Sequence, residues 1–321
     1  MVARQPLAGR VRNEERAMGI PGDRFPGYGR GQGGRRGGGV RWWVLLVAAL
    51  YFGWYYLSHQ QDASFTGRTQ LIDTSIEEEA QLGLQAWQQT LAESNVVRDG
   101  PLPGQVAAIA RRLVDAGPGV ERYMAQVHGV PATTRWDAFA WEVSVIESDE
   151  ANAFCLPGGK IAVYTGIIPV ARNEHALAAI MGHEIAHALL RHGAERMAQQ
   201  KLVQIGQLAA SMSVGDMDPQ QQQMVMAALG AGAKFGLILP FSRDHESEAD
   251  RIGLLLSAAA CYDPRESVGL WERMGAASGG AAPPEFMSTH PASATRIQQL
   301  QAWMPEALEM REAAGCPPLG G

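Results

Sequence analysis

The chain has 321 residues, 46% of them hydrophobic, which is enough to bury a sizeable core as one large domain or two small ones. Its three cysteines are too few for a disulfide framework. The net charge of -6 is unevenly placed: residues 1–41 carry nine Arg and three acids, a net of +6, leaving -12 on the other 280 residues by difference.

Residues 1–41 are rich in Arg and Gly, with Gly31 to Gly39 as the extreme, and contain almost nothing that can form a core, so they read as a disordered tail. From Trp42 to Leu57 the chain is uncharged, and the next charge is Asp62. These residues span roughly 24 Å as a helix, slightly less than a hydrocarbon core of about 30 Å. Trp42 and Trp43 at one end, with Trp54, Tyr55 and Tyr56 at the other, fit interfacial aromatic belts. Residues 42–58 are therefore expected to be a transmembrane signal anchor. Arg30, Arg35, Arg36 and Arg41 precede it, so the tail is expected in the cytoplasm and the rest across the membrane. That rule accounts for the basic tail without nucleic acid, and no nucleic-acid partner is expected. No small-x-small cleavage site follows, which favours an uncleaved anchor. A mitochondrial presequence fits less well, because Glu14, Glu15 and Asp23 interrupt the tail and Ser is absent from it.

Residues 59–70 read as a polar linker. Ser75 to Glu78 is a capping-box pattern opening an amphipathic helix with Ile76, Ala80, Leu84, Trp87 and Leu91 on its apolar stripe. A second helix is expected over residues 105–115, with Val106, Ile109 and Leu113 inward. Both serve as scaffold. Trp141 to Val145 alternates as a half-buried strand does, and Lys160 to Tyr164 reads as its partner in a hairpin. The intervening Asn152-Ala-Phe-Cys-Leu-Pro-Gly-Gly159 holds a turn signal. Such a hairpin is either ordinary scaffold or an unpaired edge to which an extended peptide adds as a strand.

The helical run from Asn173 to His192 contains His183-Glu184-Ile-Ala-His187. On a 3.6-residue period the two imidazoles stand one turn apart on one face, able to hold one zinc ion, and Glu184 beside them can take a proton from a zinc-activated water. Gly193 is the expected helix end, His192 suits that helix terminus, and His175 is expected to face solvent. Residues 195–239 read as a Met-rich helical hairpin broken at Gly215 to Pro219, serving as core or as a pliable lid. In Ser242 to Arg251, Glu246 and Asp250 share a helix face, so one can bind the metal while the other accepts the free N–H of a ligating His. Glu248 is expected at the surface, and His245 is turned about 100° away from Glu246.

These motifs resemble the membrane-associated zinc metallopeptidases of family forty-eight, gluzincins that include the HtpX, CAAX prenyl and OMA-type proteases. The resemblance covers about residues 71–310. It rests on Asn152-Ala-Phe with Leu156-Pro-Gly-Gly159, on His183-Glu184-x-x-His187, and on Leu239-Pro-Phe-Ser-Arg243 leading to Glu246-x-Glu-Ala-Asp250. Tyr262-Asp-Pro264 and Ser288-Thr-His290-Pro291 with Arg296 complete it. It implies an α+β, mostly α, gluzincin-type domain over residues 71–315 with a small β-sheet beside the zinc helix, and a C-terminal tail at 316–321. It also implies one zinc ion held by His183, His187 and Glu246, with Glu184 as catalytic base and Asp250 behind the ligands. Asn152, Ala153, Phe154, Gly158 and Gly159 become the substrate-binding edge. His290 and Arg296 become candidate oxyanion donors, with His290 alternatively a resting-state ligand or a His-Pro turn. Cys155 stands where Ala is common and Cys261 where Gly is common; in an oxidising compartment Cys261 and Cys316 are a candidate bridge. The expected function is a membrane-anchored endopeptidase acting on unfolded or misassembled protein substrates at a bacterial inner membrane, its catalytic domain periplasmic. The competing reading is a non-proteolytic chaperone or scaffold with a structural zinc site.

Overall fold

The computed structural model describes residues 40–215, 217–233, 239–277 and 285–320. Residues 1–39, nearly all of the expected tail, lie outside them. The apolar run forms helix α1 (Trp42–Ser58), 17 residues long. Among the described residues no helix is long and apolar enough to cross a membrane. The stretch read as a linker is instead a small antiparallel hairpin, β1 (Gln60–Asp62) with β2 (Thr69–Leu71). It is ordered because its loop carries Ala63 and Phe65, which bury in the main core.

Helix α2 (Ile76–Glu93) opens on the expected capping box: Ser75 Oγ accepts the Glu78 N–H at 3.1 Å, and Glu78 Oε2 accepts the Ser75 N–H at 2.8 Å. Of its predicted stripe Trp87 is buried, but Leu84 is exposed; Gly83 faces the core side, where a Cβ would lie 2.0 Å from the Pro157 carbonyl oxygen. After β3 (Val96–Val97) comes α3 (Pro101–His128), far longer than expected, with Val106, Ile109 and Leu113 buried as read. It continues through Gly117 and Pro118 because Gly117 makes room for the Trp136 ring.

The main sheet adds β4 (Glu142–Ile146), β5 (Ala153–Leu156) and β6 (Lys160–Tyr164) in the order β3-β4-β6-β5. β4 and β6 are neighbours as expected, but they run parallel rather than as a hairpin. The tight turn instead joins β5 to β6, with Gly158 and Gly159 at φ +79° and +86°, so β5 becomes the edge.

The remaining elements are helical: α4 (Ile168–Ala171), α5 (Glu174–Leu189), α6 (His192–Val214), α7 (Pro219–Ala233), α8 (Leu239–Ala259), α9 (Glu266–Ala277), α10 (Glu285–Thr289) and α11 (Ala294–Ala313). α5 starts where Asn173 Oδ1 accepts the Ala176 N–H at 2.9 Å, and it is buried from Ala176 to Ala186. Its end differs from expectation: Arg191 takes the left-handed conformation at φ +55°, and Gly193 already lies inside α6. α5 packs against α8, α3, α9 and β5. The backbones of α5 and α8 touch at two glycines, since a Cβ on Gly253 would lie 2.7 Å from the His183 nitrogen and one on Gly182 2.8 Å from the Gly253 oxygen. α6 and α7 form the expected helical hairpin. α1 lies antiparallel on α6, Arg41 N–H donating to the Ser213 carbonyl at 3.1 Å and Tyr55 packing with Ala198 and Leu202 near the other end. Cys261 and Cys316 are disulfide-bonded, and Cys261 sits at φ +68°, a conformation that Gly adopts most easily.

Candidate metal centre

The regular turn of α5 brings the His183 and His187 Nε2 atoms to 3.0 Å of each other. Across the glycine contact, α8 presents Glu246, whose oxygens lie 3.4 Å from His183 Nε2 and 3.5 Å from His187 Nε2. His290, just after α10, places Nδ1 3.2 Å from His183 Nε2 and 2.9 Å from both Glu246 oxygens. One ligand atom from each of these four residues lies within 4.8 Å of every other. A tetrahedral zinc ion with bonds of about 2.0–2.1 Å has ligand-to-ligand edges of about 3.3 Å, so the donor set fits that metal in chemistry and in spacing.

Glu184 is buried beside the cluster; its Oε1 has no hydrogen-bond partner among the described residues and lies 3.5 Å from His290 Nε2. Burial raises its pKa above the usual carboxylate range, against the pull of His290 and His183. Asp250, one turn beyond Glu246, has Oδ1 3.0 Å from His183 Nδ1. Burial lowers the His183 pKa, but Asp250 and Glu246 outweigh it and lift it to about 9. Burial also raises Glu246, yet His183 and His290 hold it well below the carboxylate range.

Arg296 is brought to this site in a different way from that expected. Its Nε and one terminal nitrogen donate to the two Asp250 oxygens, each at 2.7 Å, its other terminal nitrogen lies 3.0 Å from Glu246, and its guanidinium covers Trp271 at 3.7 Å. A guanidinium so engaged orients the acids and is not aimed at a substrate oxyanion. His290, by contrast, faces the open side, on a cleft shared with Cys155, Pro157, His187 and Arg196.

The expected substrate segment lies next to the site. β5 is an edge strand packed against α5, and the Cys155 backbone N–H reaches Glu184. Ala153 is buried, and Phe154 packs beside Trp87, Ile146 and Ala162. Asn152 shapes the strand start: its carbonyl accepts the Tyr164 N–H at 3.0 Å, and its side-chain oxygen accepts the Ala153 N–H. Gly158 and Gly159 are turn residues held against Ala80 and Trp141, their carbonyls accepting from Ala140 and Glu142. They build the edge rather than line it.

Three further expectations change. His192 is 2% exposed, not a helix-end charge, and its Nδ1 lies 2.8 Å from His187 Nδ1. Burial holds it largely neutral, its pKa at about 4 despite Glu248. Glu248 is not a surface residue: it meets His192, Arg68 and Thr66. His175 is half-buried, with its ring against Tyr262. His245 points away from the cluster as expected, to Glu195 at 2.8 Å. The partners that sequence reasoning missed are Arg68 and Glu195. Arg68 was hidden in the supposed linker.

The profile described as Peptidase family M48 matches residues 120–304. The chain is 34% identical over 281 residues to mitochondrial metalloendopeptidase OMA1 of Schizosaccharomyces pombe, covering 85% of this chain and 75% of the relative. The chain belongs to peptidase family M48. Against the OMA1 metalloendopeptidase of Saccharomyces cerevisiae the identity is 31% over 295 residues, 85% of this chain and 78% of the relative. The Beta-barrel assembly-enhancing protease of Escherichia coli is 28% identical over 228 residues, 70% of this chain but only 43% of that protein. Membership in M48 with such relatives makes the chain a zinc metalloendopeptidase.

Proposed function

We propose that this M48 member is a membrane-anchored endopeptidase in which His183, His187 and Glu246 hold the zinc ion, Glu184 is the general base and β5 receives the substrate as an added strand. The observation that carries this reading is the convergence of donor atoms from α5, α8 and the residue after α10 on one point. When bound there, zinc supplies the Lewis acidity that activates water and polarises the scissile carbonyl.

The chain's own groups do the rest. Glu184, its pKa raised by burial, takes the water proton and returns it to the leaving nitrogen. Asp250, its Oδ1 3.0 Å from His183 Nδ1, backs that ring with a negative charge, and Arg296 holds Asp250 and Glu246 in place. His290, its Nδ1 beside His183 Nε2 and both Glu246 oxygens, would be a fourth residue able to hold the ion or a donor to the substrate oxygen. An extended, unfolded segment can pair with the β5 edge, which selects for loosely folded proteins over compact ones. The name of the E. coli relative, a protease that enhances β-barrel assembly, supports action on misassembled proteins. The arginines before α1 support placing the tail in the cytoplasm of a bacterium and the catalytic domain in the periplasm.

Glu184→Gln tests the enzyme reading. It should bind zinc as wild type does and lose about 10²–10⁴-fold in kcat on an unstructured protein substrate, and chelation should abolish wild-type cleavage. Undiminished proteolysis in the variant, or cleavage that survives chelation, overturns the assignment and leaves the scaffold reading.

A further inference from the structure

The two zinc-facing histidines have different partners behind them. His183 is backed by a carboxylate directly, through Asp250. His187 turns Nε2 toward the cluster and leaves Nδ1 2.8 Å from the Nδ1 of His192. Two ring nitrogens at that distance share one proton. A ligating Nε2 carries none, so the His187 proton sits on Nδ1 and is donated to His192. His192 then bears its own proton on Nε2, which is 3.1 Å from Glu248 Oε2.

The chain of contacts continues and closes on itself. Glu248 Oε1 accepts from Arg68 Nε at 2.9 Å and from Thr66 Oγ1 at 2.8 Å. The terminal nitrogens of Arg68 donate to the two Glu195 oxygens at 2.8 and 2.7 Å. Glu195 Oε2 meets His245 Nε2 at 2.8 Å, and the His245 ring stacks on His192 with centroids 4.2 Å apart. His192, Glu195 and His245 are buried. The ring joins α6 and α8 to the β1–β2 loop, and Thr66 and Arg68 lie outside the part of the chain that the family profile matches.

We propose that His192 and Glu248 are positioning residues for His187: a histidine–carboxylate relay, clamped by Arg68, that fixes the ring of the second zinc ligand as Asp250 fixes that of the first. This rests on the reading of His187 as a ligand. The test uses the full chain and zinc itself, with affinity measured by competition against a chromophoric chelator and apo-protein melting followed in parallel. His192→Ala should bind zinc about 10–100-fold more weakly. His192→Asn, whose oxygen can replace the Nδ1 acceptor, should recover part of that loss, and Glu248→Gln should show a smaller one. Should His192→Ala fail to fold, the other two variants carry the comparison. Wild-type zinc affinity in Glu248→Gln and in whichever His192 variants fold, whether or not their melting temperatures fall, overturns the relay and leaves a merely structural cluster. A wild-type chain that binds no zinc overturns the metal reading itself, and the relay with it.

Discussion

Glu195 has no accessible surface, yet it stays ionised, because the bonds from Arg68 and His245 outweigh the cost of burial and hold its pKa at about 2. A carboxylate whose folded pKa lies below its unfolded value of about 4.3 contributes stability that is complete above that value and disappears as pH falls toward 2. Glu195→Gln should therefore lower the unfolding free energy at pH 7 by about 3 kcal/mol and flatten its decline between pH 5 and 2. Urea denaturation at pH 7, 5 and 3 measures both, and an unchanged acid slope would mean that this carboxylate titrates normally. At this scale the sequence displayed the metal cluster and concealed what lies behind it. Helical spacing pairs His183 with His187 and Glu246 with Asp250, but only the family resemblance says which acid faces the metal. Glu248 is two residues from Glu246 and so points to the far side of α8, which reads as surface until the β1–β2 loop is known to cover it. The same hidden contact makes His192 internal.

The site depends on how closely two helices approach. Gly182 on α5 and Gly253 on α8 let the backbones meet beside His183, and this contact sets the distance from the imidazoles to Glu246. A Cβ at Gly253 would stand 2.7 Å from the His183 nitrogen, a backbone atom that cannot yield without moving α5. Gly253→Ala should cost about 1–3 kcal/mol as an overpacked contact and weaken zinc binding as well, because Glu246 moves with α8. Equal stability and affinity in the variant would show that the helices can separate without disturbing the donors. Helix starts were legible because they are local chemistry: Ser75 caps as read, and the run read from Asn173 opens with that residue as its cap. Strand direction was not. Whether β4 meets β6 in parallel depends on the intervening β5 pairing on the far side of β6, a non-local choice that alternation in either strand does not encode. The length of α3, expected only over residues 105–115, was hidden for a related reason, since the helix passes Gly117 and Pro118 where the Trp136 ring fills the space above Gly117.

For the whole molecule the question is what covers α1. Its inner side meets α6 through Val44 and Tyr55, while Trp42, Leu46, Leu50, Trp54 and Leu57 form an outer stripe, Leu50 67% and Leu57 73% exposed. Leu208 and Met212 on α6 and Met224 and Leu229 on α7 are exposed apolar side chains as well. A soluble monomer seldom leaves so apolar a helix face to water. Seventeen residues give a helix of about 26 Å, short for a bilayer by itself, so the proposed anchoring would rely on the aromatic ends and the neighbouring α6 as well as on length. On this account the full chain should sediment with membranes and stay there through alkaline carbonate extraction. Leu46→Asp with Leu50→Asp should release it, since each central charge opposes insertion by about 2.5–3.5 kcal/mol. The released protein should still cleave a soluble unfolded substrate, because neither position touches the metal cluster. Extraction of the wild-type chain by carbonate would refute the anchor, and a reporter fused after Gly321 that is active only in the cytoplasm would reverse the orientation drawn from the arginines.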